Sequence, residues 1–296
     1  MALLSGFARQ CALLTSFSLL GMTGVASLAS GDMLYGITND DNLISVNTSS
    51  PGSATLIGAL DVVSASLGLF ASSGGLYVYD TNNNVLRQIN PSNAATIATI
   101  NLGLAAAPSE GDIAFQSGVG YLISNLQPDG SFGATGTLFK FNLSANSATV
   151  VSTSIPMMDG LAFSSTGVLY GLAQGGGALY TIDTTTGAAT LLGSGTGISN
   201  NCGGVPCYGF GGLSFGTGGT LFADLTNFSN ATSSFFTIDP GTGFATADGT
   251  IPFGQVTGLT SVTPIVVTAT PEPSTFVLAA AALLAVGVWK RRPART

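Results

Sequence analysis

The chain has 296 residues, of which 45% are hydrophobic, 7% are charged and 41 are glycine. It contains no histidine and only three cysteines, which excludes a Ser-His-Asp or Cys-His nucleophile and a histidine-ligated metal site. Residues 30–270 carry 13 carboxylates against two bases, a net charge of −11 that repels phosphate backbones and excludes nucleic acid as a partner. Chemistry that needs only carboxylates stays open, but the sequence predicts no cofactor and no bound metal.

Residues 1–30 have the pattern of a secretory signal peptide. Arg9 is the only charged residue, an apolar stretch runs from Ala12 to Leu28, and the small residues Ser27 and Ala29 suit cleavage near Ala29 or Ser30. An uncleaved membrane anchor is the alternative interpretation. We expect the chain to be exported.

Residues 31–263 contain a repeated unit, clearest between Asp159 and Leu192, in which four short apolar segments are separated by Gly, Ser and Thr turns. An apolar–aromatic pair, or its reverse, marks the second segment of each unit: Leu34-Tyr35, Leu76-Tyr77, Tyr121-Leu122, Leu169-Tyr170 and Leu221-Phe222. An Asn or Asp ends the third segment: Asn47, Asn90, Asn142, Asp183 and Asp239. Five units of four strands predict an all-β fold, a five-bladed β-propeller.

The five residues that end the third segments have a local explanation. Each can accept backbone N–H bonds in the turn that follows, so we interpret them as structural rather than as ligands.

The first unit lacks its first strand. The segment from Thr257 to Val262 matches a first strand but has no unit after it. We therefore predict that it pairs with the strand around Leu34–Thr38 and closes the ring.

The residue that opens the innermost strand of a blade often faces the central channel of a propeller. The aligned residues at this position are Ser66, Gly111, Asp159, Gly211 and Thr257, of which only one is acidic. Glu110 and Asp112 lie near Asp159 in this alignment, so these three form a candidate acidic cluster at one channel mouth. A metal or catalytic role is the alternative to turn formation and solvation, which we favour because no ring of carboxylates converges.

Cys202 and Cys207 lie in the long connection between the fourth and fifth units. A zinc or redox site would need further ligands or a CxxC motif, and neither is present. In an exported protein the two cysteines predict a disulfide.

The C-terminal segment combines three features. Pro271-Glu272-Pro273 precedes an apolar run of 14 residues from Phe276 to Trp289, and the basic cluster Lys290, Arg291 and Arg292 follows. As a helix the run would be about 21 Å long against a hydrocarbon core of about 30 Å, so it spans only with local thinning. The basic cluster would stay cytoplasmic, with the body on the other side. We assign residues 264–274 to a linker with the motif and residues 275–296 to a transmembrane helix with a basic tail.

This arrangement resembles the PEP-CTERM sorting signal, in which a Pro-Glu-Pro motif, a short transmembrane helix and an Arg-rich end are recognised by a membrane-embedded exosortase. The resemblance implies that Pro271, Glu272 and Pro273 are the recognition element and that the tail is removed during processing. It also implies a Gram-negative host that makes extracellular polysaccharide. A plain membrane anchor with a chance motif is the alternative.

The sequence favours a non-catalytic protein of the cell surface or biofilm matrix, whose propeller binds exopolysaccharide or surface proteins. An extracellular carboxylate-dependent hydrolase or lyase on the same fold is the second hypothesis, and a periplasmic assembly scaffold is the third. Two acidic side chains in one deep pocket would favour the enzyme, and an open channel lined by Ser, Thr and Gly would favour binding.

Overall fold

The computed structural model describes residues 31–61, 66–72, 75–201 and 207–261. The predicted signal peptide and the predicted C-terminal helix and basic cluster lie outside the described residues. Within the described ranges no helix has the length and apolar character needed to cross a membrane.

The described residues form twenty strands, which follow one another along the chain with short turns between them. In chain order they are β1 (Met33–Thr38), β2 (Asn42–Asn47), β3 (Thr55–Ala59), β4 (Ser66–Ser72), β5 (Gly75–Asp80), β6 (Val85–Ile89), β7 (Thr96–Ile100), β8 (Ile113–Gln116), β9 (Val119–Leu126), β10 (Phe132–Asn142), β11 (Ser147–Ile155), β12 (Met158–Phe163), β13 (Leu169–Ala173), β14 (Leu179–Ile182), β15 (Ala189–Leu192), β16 (Tyr208–Phe215), β17 (Leu221–Asn227), β18 (Thr232–Ile238), β19 (Ala245–Ile251) and β20 (Val256–Ser261). Two single-turn 3-10 helices occupy Pro51–Ser53 and Gln174–Gly176.

The strands form five antiparallel sheets of four strands, which are the five blades of a propeller. Blade 1 has the order β20-β1-β2-β3, and blades 2 to 5 follow as β4–β7, β8–β11, β12–β15 and β16–β19. The predicted fold class and blade count are therefore confirmed.

The predicted closure of the ring is also confirmed. The C-terminal strand β20 pairs with β1, with Tyr35 opposite Thr260 and Gly36 opposite Leu259. Val262, the last residue of the predicted closing segment, lies outside the described residues. Because this pairing joins both ends of the chain in one sheet, it removes two edges on which other strands could pair.

The hydrophobic core lies between the blades. In blade 1, Leu34 and Val46 pack with Phe222 and Phe235 of blade 5. From the same blade, Ile37 and Leu43 pack with buried leucines of blade 2. Both faces of the sheet are thus buried, which explains why the second strands are apolar without the alternation of a half-exposed strand.

The five Asx residues at the ends of the third strands form the predicted turns. Each side-chain oxygen accepts the backbone N–H of the residue two positions later, at 2.8 to 3.0 Å: Asn47, Asn90, Asn142, Asp183 and Asp239. For the two aspartates these N–H bonds lower the carboxyl pKa. The predicted turns are therefore confirmed.

Candidate functional site

The innermost strands of the five blades, β4, β8, β12, β16 and β20, contact one another around the propeller axis. One residue in each strand, or directly before it in the case of β8, lies against the next blade, and four of these five residues are glycine. We call them the axial ring: Gly68, Asp112, Gly160, Gly212 and Gly258. A Cβ atom on Gly258 would lie 2.9 Å from the Cα of Gly68, and one on Gly160 would lie 2.8 Å from the Cβ of Leu213. Side chains at these positions would collide with the neighbouring blade, which explains the glycines.

Asp112 is the exception in the axial ring, and its carboxylate is fully buried. Its Oδ1 atom accepts the N–H of Ile113 at 2.8 Å, and its Oδ2 atom accepts the N–H groups of Leu161 at 2.9 Å and Leu213 at 3.3 Å. Burial raises the pKa of Asp112 well above its ordinary value, and these N–H groups and that of Leu69 offset only part of this rise. The Asp112 side chain therefore accepts hydrogen bonds from blades 3, 4 and 5, and Leu69 of blade 2 also affects its pKa.

Two further buried carboxylates lie beside the ring. Asp159 precedes Gly160 in β12, and Asp224 of β17 stands opposite Gly212. Asp159 Oδ2 accepts the N–H of Gly175 at 2.8 Å, and Asp224 Oδ1 accepts that of Gly212 at 2.9 Å. The second oxygen of each, Oδ1 of Asp159 and Oδ2 of Asp224, is buried and makes no hydrogen bond.

The pKa values of both groups reflect this setting. Burial, with a contribution from Glu110, raises the pKa of Asp159 to about 6. Burial also raises the pKa of Asp224, and the charges of Asp112 and Asp159 raise it further. Asp112, Asp159 and Asp224 thus form what we call the buried acid cluster, in which like charges repel one another without a base beside them among the described residues.

Glu110 stands at the edge of this cluster. It is half-buried, has a left-handed backbone with a φ of 48°, and accepts a hydrogen bond from Gln174 Nε2 at 3.2 Å. Asn125 also lies near Asp159, and its side chain lowers the pKa of that carboxyl. The candidate trio of Glu110, Asp112 and Asp159 is therefore close in space, but two of its members are sealed inside the protein.

Sequence reasoning missed Asp224 and placed the ring slightly too early in the chain. The axial ring lies one residue after the aligned positions in four blades and two residues after Ser66 in blade 2. The sequence does distinguish Asp224 from its counterparts. Asp224 stands opposite Gly212 of the axial ring, whereas the residues opposite Gly160 and Gly258 are the apolar Leu172 and Ile37. An aspartate among apolar residues of a buried second strand marks a position with a special partner.

A shallow recess occupies the axis where the innermost strands end. It has a volume of about 130 Å³ and is lined by residues 69–71, 113–116, 161–163, 213–215 and 259–261, of which none is acidic. Binding pockets for small molecules usually have about 300 to 1,000 Å³. The recess is therefore too small to enclose a sugar ring together with catalytic groups.

The opposite face carries exposed aromatic residues. In an antiparallel blade the second strand ends where the first begins, so the β9–β10 and β17–β18 hairpins lie at the end away from the recess. Phe132 in the first of these hairpins is 83% exposed, and Phe228 in the second is 46% exposed. Amide and hydroxyl residues flank both, among them Ser131 and Asn230. We call this surface the hairpin face.

Cys207 is buried and disulfide-bonded. Cys202, its predicted partner, lies outside the described residues, so the pairing stays a prediction. Over the ranges that the structure covers, His, Cys, Asp and Glu side chains form no group of three or more that could hold a metal ion.

The architecture defines a five-bladed β-propeller, and solved structures with a similar arrangement include three of different origin. A chain of a nidogen/laminin complex has 11% identity and a TM-score of 0.49, covering 78% of this chain and 98% of that chain. A luciferin-regenerating enzyme has 17% identity and a TM-score of 0.43, with 79% and 81% covered. Glutaminyl cyclase of Myxococcus xanthus has 16% identity and a TM-score of 0.39, with 73% and 74% covered. No curated protein matches the chain.

The C-terminal segment gives the more specific assignment. Residues 269–292 match the PEP-CTERM protein-sorting motif, a range that includes Pro271, Glu272 and Pro273 and ends at Arg292. The predicted resemblance is confirmed. This chain is an exported protein with a propeller body and a PEP-CTERM sorting signal.

Proposed function

We propose that this exported protein acts at the cell surface or in the extracellular matrix, and that its propeller is a non-catalytic domain that binds a neutral glycan. The hairpin face carries the proposal. Exposed aromatic rings surrounded by amides and hydroxyls suit the apolar faces and hydroxyl groups of sugars. The net charge of residues 30–270, −11, disfavours acidic polymers.

The exit point of the sorting segment supports this orientation. β20 ends at Ser261, which lines the recess, so the chain leads from the recess end of the propeller toward the motif. The hairpin face lies at the other end. The chain therefore leaves the described propeller at the end opposite the proposed binding surface.

A carboxylate-dependent hydrolase or lyase is the second candidate. Asp159 and Asp224 favour it, because carboxyls with strongly shifted pKa values are common at active sites. Their exposures of 1% and 0% oppose it, since a substrate could not reach them without rearrangement. Release of reducing ends from a polysaccharide by the wild type, but not by Asp159→Asn, would favour this candidate over the first.

Replacing the two exposed rings should weaken glycan binding without changing the fold. We expect Phe132→Ala with Phe228→Ala to lower the affinity for the neutral exopolysaccharide of the host about tenfold, because aromatic anchors dominate such contacts. Isothermal titration calorimetry measures the affinity. Phe244→Ala is the matched control, since Phe244 is 59% exposed but lies in the β18–β19 turn at the recess end. Equal affinities of the double variant and the control would contradict the proposal.

The second proposal concerns the sorting signal. We propose that an exosortase-type enzyme recognises Pro271-Glu272-Pro273 and removes the tail. Glu272→Ala should leave export intact but block C-terminal processing in a host with an exosortase. The intact mass of the protein from that host measures the change, and Thr268→Ala, just before the matched range 269–292, serves as the control. If the Glu272→Ala protein is still processed, the enzyme does not recognise the glutamate.

A further inference from the structure

The backbone around the axis presents a ring of N–H groups. In every innermost strand the residue after the axial ring stands at an equivalent position: Leu69, Ile113, Leu161, Leu213 and Leu259. The N–H groups of Ile113, Leu161 and Leu213 donate to the Asp112 carboxylate, and that of Leu69 also acts on it. N–H groups from four blades thus converge on one buried point.

Such convergence is the property of an anion site. Successive or clustered backbone N–H groups form concavities that bind negative charge, and bonds from them to a carboxylate are stronger than bonds between neutral groups. Among residues 31–261, neither basic side chain neutralises the charge of the Asp112 carboxylate. Of the two bases in residues 31–261, Arg87 pairs with Asp80 at 2.7 Å in blade 2, and Lys140 is exposed.

The hydrogen bonds to Asp112 also favour its ionised form. A protonated carboxyl must donate its proton to an acceptor, but the hydrogen bonds to both of its oxygens come from N–H donors. Protonation would weaken these bonds, because a neutral carboxyl is a poorer acceptor than a carboxylate. This effect opposes burial, which raises the pKa of Asp112 well above its ordinary value.

We infer that the axis of this propeller is an anion-binding site and that Asp112 occupies it as a tethered carboxylate. The corollary is that the same site, freed of the side chain, binds a small carboxylate from solution. Glycine at position 112 fits sterically, because glycine occupies the other four positions of the axial ring.

Chemical rescue of Asp112→Gly in the full-length protein tests this inference. Acetate is the missing part of the side chain, and acetamide is a neutral molecule of the same shape. We expect the thermal midpoint of Asp112→Gly to fall well below that of the wild type. Acetate in the tens of millimolar at pH 7 should raise it again by several degrees in a saturable manner, because a ligand of the native state stabilises by mass action. Acetamide should not.

Two controls define the outcome. Wild type should show no saturable shift with acetate, since its site is filled. Asp224→Gly should show none either, because Asp224 is equally buried but accepts only one backbone N–H within the described ranges, that of Gly212, in place of N–H groups from several blades. Equal shifts with acetamide and acetate, or equal shifts in the controls, would overturn the inference.

A second measurement covers the case in which Asp112→Gly does not fold. The 13C chemical shift of the Asp112 carboxyl carbon in the wild type reports its protonation directly. A carboxylate signal at pH 7 supports the tethered anion. A carboxylic acid signal at pH 7 would overturn it.

Discussion

Deletion of residues 256–261 should unfold the whole propeller rather than one blade. The deletion removes β20, its pairing with β1, and the buried side chains of Val256 and Leu259. Burial of these two side chains alone is worth about 4 kcal/mol, and domains of this kind are stable by only about 5 to 15 kcal/mol. We expect the cooperative urea transition, followed by circular dichroism, to move to a much lower concentration or to disappear.

A chain that stops after Val262 is the control for this deletion, because it keeps β20 and loses only the segment that follows. Its urea midpoint should match that of the full body.

Addition of a single methyl group at Gly258 tests the contact between β20 and the neighbouring blade. Gly258→Ala should cost about 2 kcal/mol, because its Cβ would meet the backbone of Gly68, whereas Gly218→Ala points into open space. An unchanged midpoint after loss of β20 would show that the ring does not depend on closure.

The protein should become more stable as the pH falls from 7 to about 4.5. The pKa of Asp159 is about 6 in the folded state against an ordinary value of 3.8, so the folded protein binds the proton more tightly than the unfolded chain. The resulting stability is present below pH 4 and is lost as the pH rises through 6. It amounts to roughly 3 kcal/mol for this group. Asp224 acts in the same direction, because burial and its acidic neighbours raise its pKa.

Asp80 limits this gain in stability at acidic pH. Hydrogen bonds from Asn83 and Arg87 lower the pKa of Asp80, although burial alone would raise it. Its contribution is present above pH 4 and is lost as the pH falls through its lowered pKa. We therefore expect a stability maximum near pH 4 to 5.

Thermal midpoints between pH 3 and pH 8 measure this profile. Asp224→Asn should raise the midpoint at pH 7.5 and flatten the profile between pH 4 and pH 7, since it removes a repelled charge while keeping an acceptor for the Gly212 N–H. Asp248→Asn, at an exposed position of β19, should leave the profile unchanged. A wild-type midpoint that rises steadily from pH 4 to pH 7 would rule out a dominant role for the buried acid cluster.

The sequence was sufficient to predict the blades because each strand repeats a local pattern. The apolar–aromatic pairs, the Asx residues after the third strands and the unpaired segment at Thr257 each reflect chemistry within a few residues of the chain. The closing pair could be predicted since a missing strand at one end matched a surplus strand at the other.

The buried acid cluster was harder to predict because it depends on contacts between blades. Asp112 and Asp159 were noticed as acidic residues near a predicted channel, but the donors to Asp112 come from strands 49 and 101 residues away in the chain. The glycines of the axial ring look like ordinary turn or strand glycines until the neighbouring blade is in place. Periodicity determines which strands form a sheet but not which side chains meet at an axis shared by five sheets.

The position of the closing strand has a mechanical consequence. A pull on the C-terminal segment would enter the described propeller at Ser261, the end of β20. The hydrogen bonds of an antiparallel pair lie across the strand direction, so a pull along β20 loads the whole ladder from Leu34–Ser261 to Thr38–Val256 in shear instead of peeling it apart one bond at a time. The strand that completes the ring is thus also the first element to bear force, and its failure would pass the load to β19 of blade 5, the preceding strand in the chain.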